Sequence, residues 1–282
     1  MVYSRPRHEG TISFENAITS SISVEDIVKK IIDAPHNLCI PQERLNLANK
    51  LRTSLFPWRG QFSPELVEIL LERYSQPGDV ILDPFVGSGT TLFEATRKSL
   101  KCYGAEINPS AVEMSRTAQF ANMPLAERKA AIQKTEILVE KYLLPFGRDL
   151  FSYQIENSED AQDFSRSQDE IFKRLAQETN SDALSHNLII NAIMRYMNYR
   201  EPRTHRDFLR ALREHANIVE NLPYCEEECK IFHCDARSIP LSDGSVDLII
   251  TSPPYINVFN YHQNNRPAME LIGWDLLDIA RS

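Results

Sequence analysis

The sequence predicts an α/β fold: an open parallel sheet wound by helices, with a helical insertion set inside it. Three observations predict it. Apolar runs at Val80–Leu82 and Lys101–Ala105 alternate with helical periods at Thr90–Arg97 and Ser110–Phe120, a β-α-β-α order. A glycine loop, Asp83-Pro-Phe-Val-Gly-Ser-Gly-Thr-Thr91, joins the first of these strands to its helix. The next strand candidates, Cys229–His233 and Val246–Ile250, begin more than 120 residues after Ala105, where a βαβ unit needs only about 30.

Each element follows in order. Residues 1–22 are polar and without period, which suits an arm or loop. Ser23 caps an expected helix over Val24–Ile32, with apolar residues at helical spacing, and a second helix is expected over about Pro41–Thr53. Residues 1–55 thus read as an N-terminal helical arm. Phe56-Pro-Trp-Arg-Gly-Gln-Phe62 is irregular. Ser63-Pro64-Glu65 opens a helix, with Ser63 as N-cap and Pro64 in the first position. Pro77-Gly78-Asp79 is a turn, and Val80–Leu82 suits a buried parallel strand. Residues 56–120 form one half of the core. Pro124–Leu144, Ser181–Tyr199 and Thr204–Glu220 are expected helices, and the acidic stretch 155–170 reads as loop. They make 121–226 a helical insertion. Residues 227–282 supply the other half of the core and end in an expected helix, Pro267–Ile279.

Composition narrows the function. A chain of 282 residues can bury a sizeable core. No apolar run reaches the roughly 18 to 20 residues of a membrane span, and the N-terminus has no apolar signal region. A cytoplasmic location is the expectation. The five cysteines, an odd count, suit reduced thiols better than a disulfide framework. The net charge of −8 lowers the expectation of a nucleic-acid partner, although a local basic patch can serve when the acids face elsewhere.

The glycine loop places Gly87 and Gly89 where the backbone can turn tightly and approach a ligand. Open α/β sheets bind ligands at this carboxyl end of the strands. The loop lacks the third glycine of a dinucleotide fingerprint and the lysine of a phosphate loop, which points away from a pyrophosphate. Glu106 ends the next strand and can accept from ribose hydroxyls; Asp235, after the third strand, can accept from an adenine amino group. Either acid alone is more often a turn or cap residue. With Asp83, the three strand ends together argue for an adenosine carrier without phosphates.

Thr251-Ser252-Pro253-Pro254-Tyr255 follows the fourth strand. The two prolines fix φ and remove two backbone donors. The loop therefore offers carbonyls, a hydroxyl and an aromatic face, which suits an incoming amino group. Ser252 and the Pro253 carbonyl can each accept one of its hydrogens, and Tyr255 can stack on a base. Taken alone, Pro-Pro-Tyr is more often a rigid turn with a buried tyrosine.

Together, Asp83–Thr91 and Thr251–Tyr255 resemble the amino-methyltransferases of bacterial and phage DNA, the N4-cytosine and N6-adenine enzymes, with motifs spanning roughly 56–115 and 229–265. The resemblance implies a Rossmann-like core that uses S-adenosylmethionine, with DNA as partner. It implies a cofactor site of Asp83, Pro84, Phe85, Gly87, Ser88, Gly89, Thr90 and Thr91, with Glu106 and Ile107 at the ribose, Asp235 and Ala236 at the adenine, and Thr251. Phe62 and Ser63, in Phe-Ser-Pro-Glu, resemble the segment lining the methionine end. Ser252, Pro253, Pro254 and Tyr255 are implied as the catalytic loop that holds a flipped base. Serine before Pro-Pro-Tyr leans toward N4 of cytosine over N6 of adenine. RNA methylation and a non-catalytic DNA- or partner-binding subunit are the competing readings.

Such cores usually hold seven strands, and here the strands after the fourth are missing from the sequence. The expectation is a parallel sheet with a bare edge at the fourth strand, completed by a second polypeptide; an inactive relic is the alternative. Three further clusters were weighed. Arg195, Arg200, Arg203, Arg206, Arg210 and Arg213, interleaved with Tyr196 and Tyr199, suit phosphate binding or, more often, a solvated face paired with Glu201, Asp207 and Glu214. Cys225, Cys229, His233 and Cys234 fit no standard zinc spacing, so no metal is expected. His262 and Asn264 can reach the base or order a loop.

Overall fold

The computed structural model describes residues 2–4, 40–45, 55–56, 60–146, 158–200, 203–254, 263 and 265–274. Its sheet contains β1 (Val2–Ser4), β2 (Val80–Asp83), β3 (Lys101–Glu106), β4 (Cys229–His233) and β5 (Leu248–Ile250) in the order β1-β5-β2-β3-β4. Four strands, β5, β2, β3 and β4, run parallel. They form the α/β, Rossmann-like core that the sequence predicts. β2 is central, paired with β3 from Val80↔Lys101 to Asp83↔Gly104 and with β5 at Ile81↔Leu248 and Leu82↔Ile249. At the amino ends of β2 and β5, Asp247 accepts from the Val80 amide (2.9 Å) and its own amide donates to the Val80 carbonyl (3.0 Å).

Two expectations are corrected. The edge of β5 is not bare: β1 pairs with it antiparallel, Val2↔Ile250 to Ser4↔Leu248. Three residues without a period carry no readable strand signal, so the arm taken as helical begins instead with a strand. Within it only α1 (Gln42–Leu45) is described as helix; the expected helix Val24–Ile32 and the remainder of Pro41–Thr53 lie outside the described residues. The acidic stretch read as loop belongs to a helix, Ser158–Thr179. Phe164, Ile171, Phe172 and Leu175 recur on one side and are buried, while Asp169 and Glu170 are exposed, as in an amphipathic element.

The remaining helices follow their caps. α2 (Pro64–Tyr74) starts at Ser63, whose Oγ accepts from the Leu66 amide. α3 (Thr90–Arg97) leaves the glycine loop, and α4 (Pro109–Arg116) starts at Asn108, whose Oδ1 accepts from the Ser110 amide at 3.0 Å. Next come α5 (Leu125–Leu143), α6 (the Ser158–Thr179 helix), α7 (Ala183–Met197), α8 (His205–Glu220) and α9 (Arg266–Ile272). Thr204 and Asp207 form a reciprocal capping box at α8.

α7 is apolar nearly all round, with Leu184, Leu188, Ile189, Ile190, Ile193 and Met194 buried. A helix of that kind belongs in the middle of a layer, and α5, α6, α8 and α9 pack around it. Phe164, Phe172, Tyr196 and Phe208 form an aromatic cluster there, the Phe172 and Phe208 ring centroids 4.6 Å apart. Polar side chains fasten this layer to α4 behind the sheet. Asn187 Nδ2 and Asn191 Nδ2 donate to the Glu113 carbonyl (2.6 and 3.1 Å), and Thr117 Oγ1 donates to Asn187 Oδ1 (3.0 Å). His215 Nε2 lies 3.0 Å from that same oxygen. Fully buried Arg128 closes the other end, donating to the carbonyls of Val219 and Leu222 at 2.7 and 2.8 Å. These carbonyls lie at and just beyond the carboxyl terminus of α8, where a cation is favoured.

Candidate active site at the carboxyl ends of the strands

A cleft of about 430 Å³ opens where β2, β3, β4 and β5 end. Its floor is the glycine loop. Gly87 and Gly89 both have positive φ, 53° and 98°, and Gly89 backs so closely on α4 that a Cβ would lie 2.9 Å from the Ser115 Cα. The loop also needs a strand without a side chain beneath it. A Cβ on Gly104 of β3 would fall 2.9 Å from Val86 Cγ2, while the Val86 amide donates to the Ala105 carbonyl at 3.1 Å. The loop is thereby pressed onto β3.

The carboxylates at the strand ends are held by their neighbours. Asp83 is 2% exposed. Its Oδ1 accepts from the Phe85 amide (3.1 Å) and from Thr251 Oγ1 (2.7 Å), and its Oδ2 accepts from Thr91 Oγ1 (2.6 Å). Burial outweighs these bonds and pushes Asp83 up to about 6. Glu106 Oε2 accepts from the Gly87 amide (3.0 Å), and Oε1 from the amides of Ile107 (2.9 Å) and Asn108 (2.8 Å). Burial again raises its carboxyl against those donors. Asp235 differs: Arg237 Nε lies 3.0 and 2.9 Å from its two oxygens, and the paired guanidinium pulls Asp235 down to about 2.

Most residues singled out in the sequence meet in this cleft. Asp83, Pro84, Phe85, Gly87, Ser88, Thr90 and Thr91 line one side with Phe62; Glu106 and Ile107 line the β3 end; Asp235 and Ala236 the β4 end; Ser252 and Pro254 the β5 end. The loops after the first and fourth parallel strands thus share one cavity. Ser63 caps α2, Gly89 starts α3, and Thr251 turns toward Asp83; none of the three is in the lining, nor is Pro253. Tyr255, His262 and Asn264 lie outside the described residues. The lining also holds Gly60, Gln61, Asn108, Cys234 and Arg237, which the sequence did not mark as part of this site. Asn108 reads as a helix cap, and it is one. Arg237 follows Asp235 by two residues, the one cue to their pairing.

The other clusters resolve differently. Arg195 is packed over the Phe56 ring, bonds the Leu55 carbonyl and lies 3.9 Å from Glu214. Arg203 lies over Tyr196 and donates to the Met197 carbonyl (2.8 Å), and Arg210 pairs with Glu214 (2.9 Å). Three of the six arginines, Arg195, Arg203 and Arg210, are therefore engaged in internal or paired contacts. Cys225 and Cys229 are buried and free, and His233 Nε2 faces the Ile107 carbonyl at 3.1 Å. Among the described residues no three His, Cys, Asp or Glu side chains stand together as a metal set, and none of their helices is long and apolar enough to cross a membrane.

A cleft at the carboxyl ends of parallel strands, floored by a glycine loop and ringed by acids, defines a Rossmann-like cofactor-binding core. Residues 36–117, which carry α2, the glycine loop, Glu106 and α4, match the sequence model of a family described as DNA methylase, of N6 and N4 type. Through this segment the chain is similar to the DNA amino-methyltransferases. It is similar to the type II methyltransferase M.MjaII of Methanocaldococcus jannaschii, 42% identical over 67 residues, 22% of this chain and 13% of the relative. M.BsoBI of Geobacillus stearothermophilus is 42% identical over 66 residues (22% and 13%), and M.XycI of Xanthomonas campestris pv. cyanopsidis 37% over 54 (19% and 18%). The aligned stretch spans less than a fifth of each relative. No solved structure matches significantly.

Proposed function

We propose that this chain is an S-adenosylmethionine-dependent DNA methyltransferase acting on the exocyclic N4 of cytosine. The observation that carries the reading is the shared cleft, with Gly87 on one wall and Ser252 and Pro254 on another. The chemistry of the lining suits the cofactor. Three carboxylates, Asp83, Glu106 and Asp235, and one guanidinium, Arg237, which is paired with Asp235, face a space with apolar surfaces from Phe62, Phe85, Ile107 and Ala236, and no lysine is among the described lining residues. That set favours an adenosine bearing positive charge over a polyphosphate. The volume also falls within the roughly 300 to 1,000 Å³ of small-molecule pockets. Glu106 would hold the ribose, Ile107, Asp235 and Ala236 the adenine, and Phe62, Phe85 and the glycine loop the methionine end.

When bound, the cofactor supplies an electrophilic methyl group on a sulfonium sulfur. The chain's part is to orient the acceptor and exclude water. The Ser252 hydroxyl and Pro253 carbonyl accept the two hydrogens of the target amino group, leaving its lone pair free. The prolines offer no competing donor. The base must first leave the duplex stack, and Tyr255 is the proposed stacking partner. Ser252 before the prolines favours cytosine over adenine. DNA as substrate and the free thiols at Cys102, Cys225, Cys229 and Cys234 accord with a cytoplasmic setting. A second polypeptide, as the sequence suggested, would have to extend the sheet beyond β1 or displace it. Incubation with DNA and labelled cofactor, followed by digestion to nucleosides and mass identification, tests the reading. N4-methylcytosine is expected, N6-methyladenine corrects the base, and an unmodified digest in the presence of bound cofactor rejects catalysis by the chain.

A further inference from the structure

β5 is short, and its ladder with β2 covers only Ile81↔Leu248 and Leu82↔Ile249. The ladder with β2 thus ends at Ile249. Beyond Ser252, Pro253 and Pro254 have no amide to donate. Yet Ser252 must be fixed closely if it is to orient an amino group, since small misplacements of reacting groups cost large factors in rate. Next to Ser252 a side-chain bond runs from Thr251 Oγ1 to Asp83 Oδ1 at 2.7 Å, across 168 residues of sequence. The other oxygen of the same carboxylate takes Thr91 Oγ1 at 2.6 Å and so closes the glycine loop at its far end. Asp83 and Thr91 are the first and last residues of that loop. All three groups are buried, Thr91 at 0% and Thr251 at 6% exposure.

Resting on the methyltransferase reading, we infer that Asp83 is a positioning residue that holds the Ser252 loop in register with the cofactor loop and acts on the transfer step through Thr251. Its carboxylate accepts three protein donors, two of them the threonines that close the two loops. A strained or shifted glycine loop is thereby felt at Ser252, and the reverse holds.

Thr251→Val removes the donor and keeps the shape; Thr251→Ser restores the donor. Thr251→Val is expected to lower kcat for methyl transfer at least tenfold, with S-adenosylhomocysteine affinity by calorimetry changed less than threefold. Thr251→Ser should recover kcat to within threefold of the parent. Hydrogen–deuterium exchange of the amides at 248–252, measured without ligand, should rise at least tenfold in Thr251→Val and return in Thr251→Ser. The inference is overturned if exchange and kcat are unmoved, or if cofactor affinity falls in step with kcat. A parent chain that transfers no methyl refutes the proposed function instead, and the exchange series alone then decides whether the brace exists.

Discussion

Asp83→Asn removes one charge from the buried floor of the cleft, and its effect on stability can be worked from the structure. Burial holds the Asp83 carboxyl at about 6 against an ordinary value of 3.8. A carboxyl raised in the fold binds its proton more tightly there than in the unfolded chain. Its contribution to stability is therefore fully present below pH 3.8 and is lost as pH rises through 6. The gap between the two values corresponds to about 3 kcal/mol between the acid and alkaline limits, of which about 1.4 kcal/mol is regained by pH 5. Asparagine carries no such charge. It keeps one acceptor for the Phe85 amide and one hydroxyl, and it turns a donor toward the other threonine. That exchange shifts stability by a constant of about 1 kcal/mol and leaves the pH dependence alone. Urea unfolding of parent and variant at pH 8, 7, 6 and 5 gives the difference directly. The variant should do best relative to the parent at pH 8, and its advantage should shrink by about 1.4 kcal/mol at pH 5. A difference flat to within about 0.5 kcal/mol over that range would refute the burial argument. Methyl transfer should fall in the same variant, an opposition of stability and function common at active sites.

Other outcomes follow from other contacts. Gly87→Asp places a carboxylate beside Glu106 Oε2, which the Gly87 amide now approaches at 3.0 Å. S-adenosylhomocysteine affinity should drop at least tenfold, about 1.4 kcal/mol, in calorimetry on a variant with unchanged circular dichroism; retained affinity would put the ligand elsewhere. Burial drives His215 well below its usual range, so the fold refuses a proton that the unfolded chain accepts below about pH 6.5. Stability should accordingly decline as pH falls through that value. His215→Gln, which can still donate to Asn187, should remove up to about 2 kcal/mol of that decline between pH 6.5 and 5; an unaltered slope would assign it to other groups. Arg128→Met removes the guanidinium donors from the carbonyls of Val219 and Leu222 and should cost about 2 to 4 kcal/mol in urea unfolding; a loss under about 1 kcal/mol would mean that water reaches the end of α8.

What could be read from the sequence was what local chemistry encodes. Ser63 with Pro64, Asn108 with Pro109, and Thr204 with Asp207 mark helix starts because capping is a matter of three or four neighbouring residues. The strand–glycine loop–helix run from Val80 to Arg97 was legible for the same reason. β1 was not, since three residues in an arm show no period and its partner lies about 245 residues on. The helix over Ser158–Thr179 was masked by its acidic face; Phe164, Ile171, Phe172 and Leu175 already held the pattern. At the site, residue types indicated the carboxylates but not their partners. Asp83 was read as a cofactor contact because its bond to Thr251 joins distant parts of the chain. Arg195 and Arg203 suggested phosphates because nothing in the sequence shows that the Phe56 and Tyr196 rings lie beneath them.

The hollow at Gly104 bears on any attempt to re-engineer the cleft. Val86 rests where a methyl on that strand residue would be, and Leu92 stands 3.1 Å from the same point. Even alanine at 104 would force the side chains of Val86 and Leu92 to shift. Room for a bulkier alkyl donor has to be cut from the rim, at Phe62 or Phe85, because the bottom of this vessel has no slack.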